Sequence, residues 1–236
     1  MFRALLRGLN KVLRGEEELS KELCAATIVA IPHTNHRPKG PEDYRPISLM
    51  QTTTKILCYI LNNRLTSWAN TRPEPFISAT QAGFRQGCEA IAQVVALYEL
   101  SRRRSLDQKD TYLVFVDIKK AYDTVPHRAI FQRLERIGVG PRTRRVIRQL
   151  YLNAIAKVRH GTEWFRVERG IRPGDPMSPM LFNLCIDPLL QRLQQANETR
   201  IPGYWEVLEV GALAYADDIV LLFSVSRQIR HKMHWI

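Results

Sequence analysis

Two carboxylates stand side by side between two of the most apolar stretches of the chain. Asp217 and Asp218 separate 210–215 (VGALAY) from 219–223 (IVLLF), with only Ala216 beside them. Both flanks read as strands, so the pair marks a tight polar turn in a hairpin. Adjacent carboxylates repel, and carboxylates near a core are costly without a compensating charge. Asp117 breaks the same rule: it closes the β-branched and aromatic run 112–116 (YLVFV), which reads as a buried strand. Taken singly, each acid is explained by a turn or a helix N-cap. Together, in a strongly basic chain, the three point to a divalent-ion site. Hard oxygen ligands without a nearby histidine pair suit Mg²⁺ or Mn²⁺ rather than Zn²⁺.

The charge balance names the kind of partner. Lys and Arg number 35 against 23 Asp and Glu, a formal net charge of +12. That is the electrostatic footprint of a chain that meets phosphate backbones. The Pro/Gly-rich loop 33–46 carries Arg37, Lys39 and Arg45, placed to hold a triphosphate. Two ions about 4 Å apart would then activate a 3′-hydroxyl and stabilise the pyrophosphate leaving group. His33-x-x-His36 and His231-x-x-His234 have no cysteine or further ligand set beside them, which argues against zinc. Cys24, Cys58, Cys88 and Cys185 form no CxxC pair, which suits a reducing, intracellular compartment. The apolar run 112–116 is far short of the roughly 18–20 residues that span a bilayer, so no membrane partner is expected. Leu5, Leu6, Leu9 and Leu13 are interrupted by Arg3, Arg7 and Lys11, which is no signal peptide.

Periodicity predicts a helix near the N-terminus, a strand at 25–31, and a helix bearing Ile56, Ile60, Leu61, Leu65 and Trp68. A further helix at about 90–104 should turn Ile91, Val94, Val95 and Tyr98 inward. Helices follow at about 127–137 and 141–153, then a hairpin around 160–162 and a helix from about 178 to 193. Strands and helices mix without regular βαβ alternation. The fold class is therefore α+β with a central antiparallel sheet.

Five ordered blocks sharpen this reading: Tyr44-Arg45-Pro46-Ile47-Ser48-Leu49; Gln81-Ala82-Gly83-Phe84-Arg85; 115–123 (FVDIKKAYD); 169–179 (RGIRPGDPMSP); and Ala214-Tyr215-Ala216-Asp217-Asp218. With them the chain resembles the reverse transcriptase domain of non-LTR, LINE-type retrotransposons and its relatives among group II intron proteins. The resemblance implies a right-hand polymerase, with an N-terminal helical extension over 1–24 and fingers and palm over 25–223. It implies RNA-directed DNA polymerase activity on an RNA template, a DNA primer and a dNTP, with two Mg²⁺ ions. Asp117, Asp217 and Asp218 match the metal-binding catalytic acids, and the Ile118 carbonyl matches a further metal contact. Tyr122 falls at the steric gate that excludes a ribose 2′-hydroxyl. Arg45 matches a contact to the incoming triphosphate, and Gly174 lies in the loop behind the nucleotide. Nuclear association also follows from the family.

The resemblance leaves other residues to physical argument. Arg142, Arg144, Arg145 and Arg148 form a basic run that reads as a solvated helix face or, in such an enzyme, as contacts to template or primer phosphates. Pro173 stands where the family usually has Gln, which removes an amide near the nucleotide, and His33 stands where Lys is frequent. The tail 224–236 is unlike the family's continuation. The expectation is an incomplete palm without a thumb, an apolar sheet face left open, and a fragment with weak or no activity alone. The alternative reading is a non-catalytic nucleic-acid-binding protein derived from a retroelement.

Overall fold

The computed structural model describes residues 2–32, 38–72, 76–195, 200–202 and 207–224. Arg37, both histidine pairs and the tail from 225 onward lie outside these described residues. In chain order the elements are α1 (Phe2–Arg14), β1 (Ala25–Pro32), β2 (Tyr44–Met50), α2 (Thr52–Asn70), α3 (Ala90–Leu106), β3 (Tyr112–Asp117), α4 (Ala121–Thr124), α5 (His127–Arg136), α6 (Pro141–Leu152), β4 (Ile155–Val158), β5 (Phe165–Arg166), α7 (Ser178–Gln195), β6 (Arg200–Pro202), β7 (Val207–Glu209), β8 (Ala212–Tyr215) and β9 (Asp218–Phe223). The chain divides into two discontinuous units, 1–74 with 122–182, and 75–121 with 183–236.

The first unit holds a four-stranded sheet in the order β2-β1-β4-β5. β1 pairs antiparallel with β2 and parallel with β4. The parallel pair lies outside the central antiparallel sheet expected from the sequence: β2, β3 and the helices α2 to α6 intervene between these strands, and a parallel return needs such a crossover. A second correction concerns 44–46, read from the sequence as loop. Tyr44 already pairs with Pro32, and Pro46 sits opposite Ala30. Proline is tolerated there because β2 is an edge strand. Leu9, Val12 and Leu13 of α1 and Leu57, Cys58, Leu61 and Leu65 of α2 are buried, whereas Leu6 and Ile56 face solvent.

The second unit holds the antiparallel sheet β3-β9-β8 and the small hairpin β6-β7. Its register puts Ala212, Ala214, Ile219, Leu221 and Phe223 on one face, all buried. On the other face Leu113, Leu213 and Leu222 meet Leu97 and Leu100 of α3 around Val210. Towards the acidic end of that same face Phe115 is 71% exposed. The rest of that face is covered by α3, so the described residues leave one exposed aromatic there and not a bare apolar sheet.

α3 reverses the inward face expected for it. Ile91, Val94, Val95 and Tyr98 are all more than half exposed, and Leu97, Leu100 and Arg104 turn inward instead. The helix carries two apolar stripes, and periodicity cannot say which one meets the sheet. Arg104 is buried because its Nε donates to Thr111 Oγ1 at 2.8 Å and its guanidinium also reaches the Asp110 carbonyl. Among the described residues no helix is long and apolar enough to cross a membrane.

Candidate active site

The acids meet at one end of the antiparallel sheet of the second unit. Register pairs Asp117 directly with Asp218, and Tyr215 lies opposite Asp218 on the other side. Directly opposed residues on neighbouring strands share a face with Cβ atoms about 5 Å apart, and like charges so placed are destabilising. Ala216 and Asp217 form the two-residue turn. Asp117 and Asp218 are exposed and Asp217 is half-buried. The sequence argument from burial therefore does not hold, because strand ends and a turn keep all three near solvent. The case for a cation rests instead on the mutual repulsion of carboxylates set opposite one another. Among the described residues no group of three or more His, Cys, Asp or Glu is drawn together tightly enough to hold a metal by itself. These oxygens can supply only part of a coordination shell. Mg²⁺ is commonly bound in that way, by one or two carboxylates with waters and substrate phosphates.

The turn is held from behind by residues to which the sequence reading assigned no role. Ala216 has φ +58°, a left-handed conformation unusual for alanine. The fully buried Gln81 grips both sides of that residue. Its Oε1 accepts from Ala216 N at 2.8 Å and from Gly83 N at 2.8 Å, and its Nε2 donates to Ala216 O at 3.0 Å. The same segment runs parallel to β8: Ala214 N donates to Thr80 O, and Ala82 N donates to Ala214 O, each at 2.9 Å. Asn183 Nδ2 of α7 donates to Gly83 O at 2.8 Å, and Ser78 N donates to Asp187 Oδ1 at 2.6 Å. A strained backbone persists where its surroundings over-determine it, and these bonds do so for the residue before Asp217. The signal was present in the block containing Gln81 and Gly83, but only the contact with Ala216 gives it meaning.

Arg45, Tyr122 and Gly174 belong to the first unit. Arg45 is exposed on β2 opposite Ile31. Three residues on, Ser48 N donates to Pro173 O at 2.9 Å. Gly174 has φ +100°, and a Cβ there would stand 3.0 Å from Ser48 O. The loop 172–175 is thus seated against the strand that carries Arg45. The bond through Pro173 uses its carbonyl, so proline's missing N–H costs nothing at that contact. Tyr122 stacks on Phe182 with ring centroids 4.9 Å apart and 12° between planes. Its carbonyl accepts from Ile171 N at 2.7 Å.

A buried polar cluster anchors the 172–175 loop. Arg172 donates to the carbonyls of Cys24 at 3.0 Å and Leu150 at 2.6 Å. Ser178 Oγ donates to Arg172 O at 2.8 Å, and Met177 N donates to Asp175 Oδ1 at 2.9 Å. Burial pushes the Asp175 carboxyl above its ordinary range, opposed by the Met177 amide and the nearby Arg172 guanidinium. Burial likewise pushes the Cys58 thiol far up, and its hydrogen bond to Asp175 keeps the proton in place.

The four arginines of the basic run do not act as one face. Arg144, Arg145 and Arg148 line a cleft together with Arg128 and Arg166, and Arg142 is exposed outside it.

Residues 36–235 match the family of reverse transcriptases (RNA-dependent DNA polymerases). The chain belongs to that family. Its relatives are of the non-LTR kind. It is 32% identical over 188 residues to the retrovirus-related Pol polyprotein from type-1 retrotransposable element R2 of Nasonia vitripennis, covering 77% of this chain and 17% of that protein. It is 32% identical over 223 residues to the Pol polyprotein from type-2 retrotransposable element R2DM of Drosophila melanogaster, covering 92% and 20%. This reverse transcriptase chain therefore spans a quarter or less of the length of these R2 relatives. Apo telomerase from Candida tropicalis, truncated from its C-terminal domain, superposes with a TM-score of 0.66 at 12% identity, over 97% of this chain and 50% of that one. Telomerase from Candida albicans, in complex with a TWJ fragment of telomeric RNA, gives 0.58 at 12% identity, over 95% and 39%. The shared fold is the polymerase fingers and palm expected from the sequence. Reverse transcriptases as a family use divalent metal ions.

Proposed function

We propose that this reverse transcriptase chain carries the fingers and palm of an RNA-directed DNA polymerase that joins a dNTP to the 3′-hydroxyl of a DNA primer on an RNA template. The observation that carries the reading is the register that sets Asp117 opposite Asp218, with Asp217 in the turn between β8 and β9. Their hard oxygen donors fit two Mg²⁺ ions, with Mn²⁺ as a substitute and the Ile118 carbonyl as a further donor. When bound, the ions would lower the pKa of the 3′-hydroxyl and neutralise charge on the phosphates. The chain's own residues position the reactants. Asp117 and Asp217 hold the acidic face, and the Gln81–Ala216 clamp fixes its shape. Arg45 takes the triphosphate, Tyr122 closes the space a 2′-hydroxyl would need, and the loop at Gly174 backs the nucleotide. Such chemistry runs on positioning and charge more than on covalent help.

The test is primer extension on an RNA template with Mg²⁺ and dNTPs. Asp217→Asn is expected to lower incorporation by about a thousandfold, the scale of losing a preorganised electrostatic group, while RNA affinity changes less than about twofold. Equal loss of both would point to misfolding, and incorporation by Asp217→Asn equal to the parent would refute the reading. RNA binding with steep salt dependence and no incorporation by the parent would favour the non-catalytic alternative. Tyr122→Val supplies a second result. Incorporation of ribonucleotides should rise at least about tenfold relative to dNTPs, the size of a lost steric exclusion of one hydroxyl. Unchanged sugar discrimination removes the gate role.

A further inference from the structure

The first unit contains a cleft of about 780 Å³ between α5, α6 and β5 that the polymerase site does not use. Arg128 and Phe131 come from α5, Arg144, Arg145 and Arg148 from α6, and Arg166 from β5. Two carboxylates, Glu135 and Glu168, share the lining with these arginines, and Arg145 spends its guanidinium on the Glu17 carbonyl at 3.2 Å, which leaves Arg128, Arg144, Arg148 and Arg166 to the concavity. Glu135 is already engaged by Arg144. Arg128, Arg148 and Arg166 have no ion pair with any described residue. Arg148 Cζ sits over the Phe131 ring, 5.1 Å from its centroid, so its guanidinium is held in place before any ligand arrives. Arg144 Nε is buried with no hydrogen-bond partner among the described residues.

The helix itself is arranged against its own stability. α6 has no acid in its first turn and carries Arg142, Arg144 and Arg145 there. Cations at a helix N-terminus oppose the helix dipole, and Arg144 with Arg148, four apart, repel. An anion in the cleft reverses both effects. A cavity of this size is too large for one phosphate and fits a nucleotide-sized group. Arginine forks, with no lysine among the lining residues, match phosphate oxygens two at a time.

We propose that this cleft, built from none of the three acids, is an anchoring site for the phosphodiester backbone of a nucleic acid. The choice of polymer rests on the reading of the chain as a reverse transcriptase; the charge of the cleft does not. The site takes backbone and not base edges, so it binds without regard to sequence.

The experiment measures binding alone. A labelled 20-nucleotide RNA and a DNA of the same sequence are titrated with the full 236-residue chain across 50–300 mM KCl. The Arg128→Gln/Arg148→Gln/Arg166→Gln variant is expected to bind RNA at least about tenfold more weakly at 100 mM salt, with the slope of log K against log[salt] reduced by about two. An Arg7→Gln/Arg64→Gln/Arg159→Gln variant removes the same charge from exposed positions elsewhere in the unit and should change affinity less than twofold. If losing the Arg148–Phe131 contact unfolds the first variant, Arg128→Gln/Arg166→Gln carries the test, with a slope reduced by about one. RNA bound more tightly than DNA, or both bound alike, supports the site and identifies the backbone it takes. Equal loss in the control variant, an unchanged slope, displacement of RNA by pyrophosphate at equal phosphate concentration, or an acidic peptide competing as well as RNA overturns it. Because incorporation is not the readout, a chain that binds here without polymerising leaves the site standing. An active chain whose binding ignores these arginines removes the site alone.

Discussion

Gly83→Ala should disorder the acidic turn, with a thermal midpoint well below that of Gly87→Ala only four residues away. A Cβ on Gly83 would stand 2.2 Å from Ala216 N, 2.9 Å from Ala216 Cα and 2.9 Å from Gln81 Oε1. The first two are backbone atoms, so no flexible side-chain end can yield. The conflict is purely steric, because Gly83 does not need a left-handed φ. Overpacking of this kind costs about 1–3 kcal/mol, at the upper end where only backbone can move. Gly87 is the converse case: its φ is +76° and nothing lies within 4 Å. Alanine there meets only conformational strain of about 1–2 kcal/mol. Hydrogen exchange at the amides of Ala214 and Ala216 separates the two variants, since only Gly83→Ala should open the contact between 80–83 and β8. Gln81→Leu should act in the same direction, leaving the Ala216 and Gly83 amides unpaired at about 1–3 kcal/mol each. Gln81→Glu, which can still accept from both, should recover part of the loss. Equal exchange rates in Gly83→Ala and the parent would show that the clamp does not hold the turn.

Arg172→Met is expected to destabilise the first unit by about 3–5 kcal/mol, the usual result of removing one partner from a buried charged cluster. Arg172 is 6% exposed, and its guanidinium serves the carbonyls of Cys24 and Leu150. It also lies over the Tyr151 ring, 5.7 Å from its centroid. Methionine fills the volume but leaves both carbonyls unpaired and Asp175 without its nearby cation. The sign of the pH dependence tests this account. Burial already raises the Asp175 carboxyl, and losing Arg172 raises it further. A group whose folded pKa lies above its unfolded value contributes stability that is full below the unfolded pKa and lost as pH rises through the folded one. The deficit of Arg172→Met should therefore shrink as pH falls from 7 toward 4, when urea midpoints are compared with the parent. Arg172→Met/Asp175→Asn should recover part of the loss at neutral pH. A deficit independent of pH would place the cost in packing alone.

Most elements were readable because their signals are local. The helices near 127, 141 and 178 follow from apolar periodicity and from Pro141 in a first turn, and lie within a residue or two of the observed bounds. The strands ending at Asp117 and beginning after Asp217 follow from β-branched runs. Family membership was readable in the same way, because the five blocks are contiguous strings whose order needs no third dimension.

The sequence could not decide which of two apolar stripes on α3 meets the sheet, nor that β1 would take a parallel partner from beyond five helices. Both depend on contacts between segments far apart in the chain. The acids show the division most sharply. Their identity follows from the sequence, while their exposure and the facing of Asp117 and Asp218 follow from strand register. A shift of one residue would turn either side chain to the opposite face. The role of Gln81 was likewise invisible, because an amide becomes a clamp only when a backbone 135 residues away arrives within hydrogen-bonding distance. Local composition determined which segments are apolar, acidic or basic; only the closure of long loops determined which of them touch, because the free energy that selects among pairings lies in contacts no single segment contains.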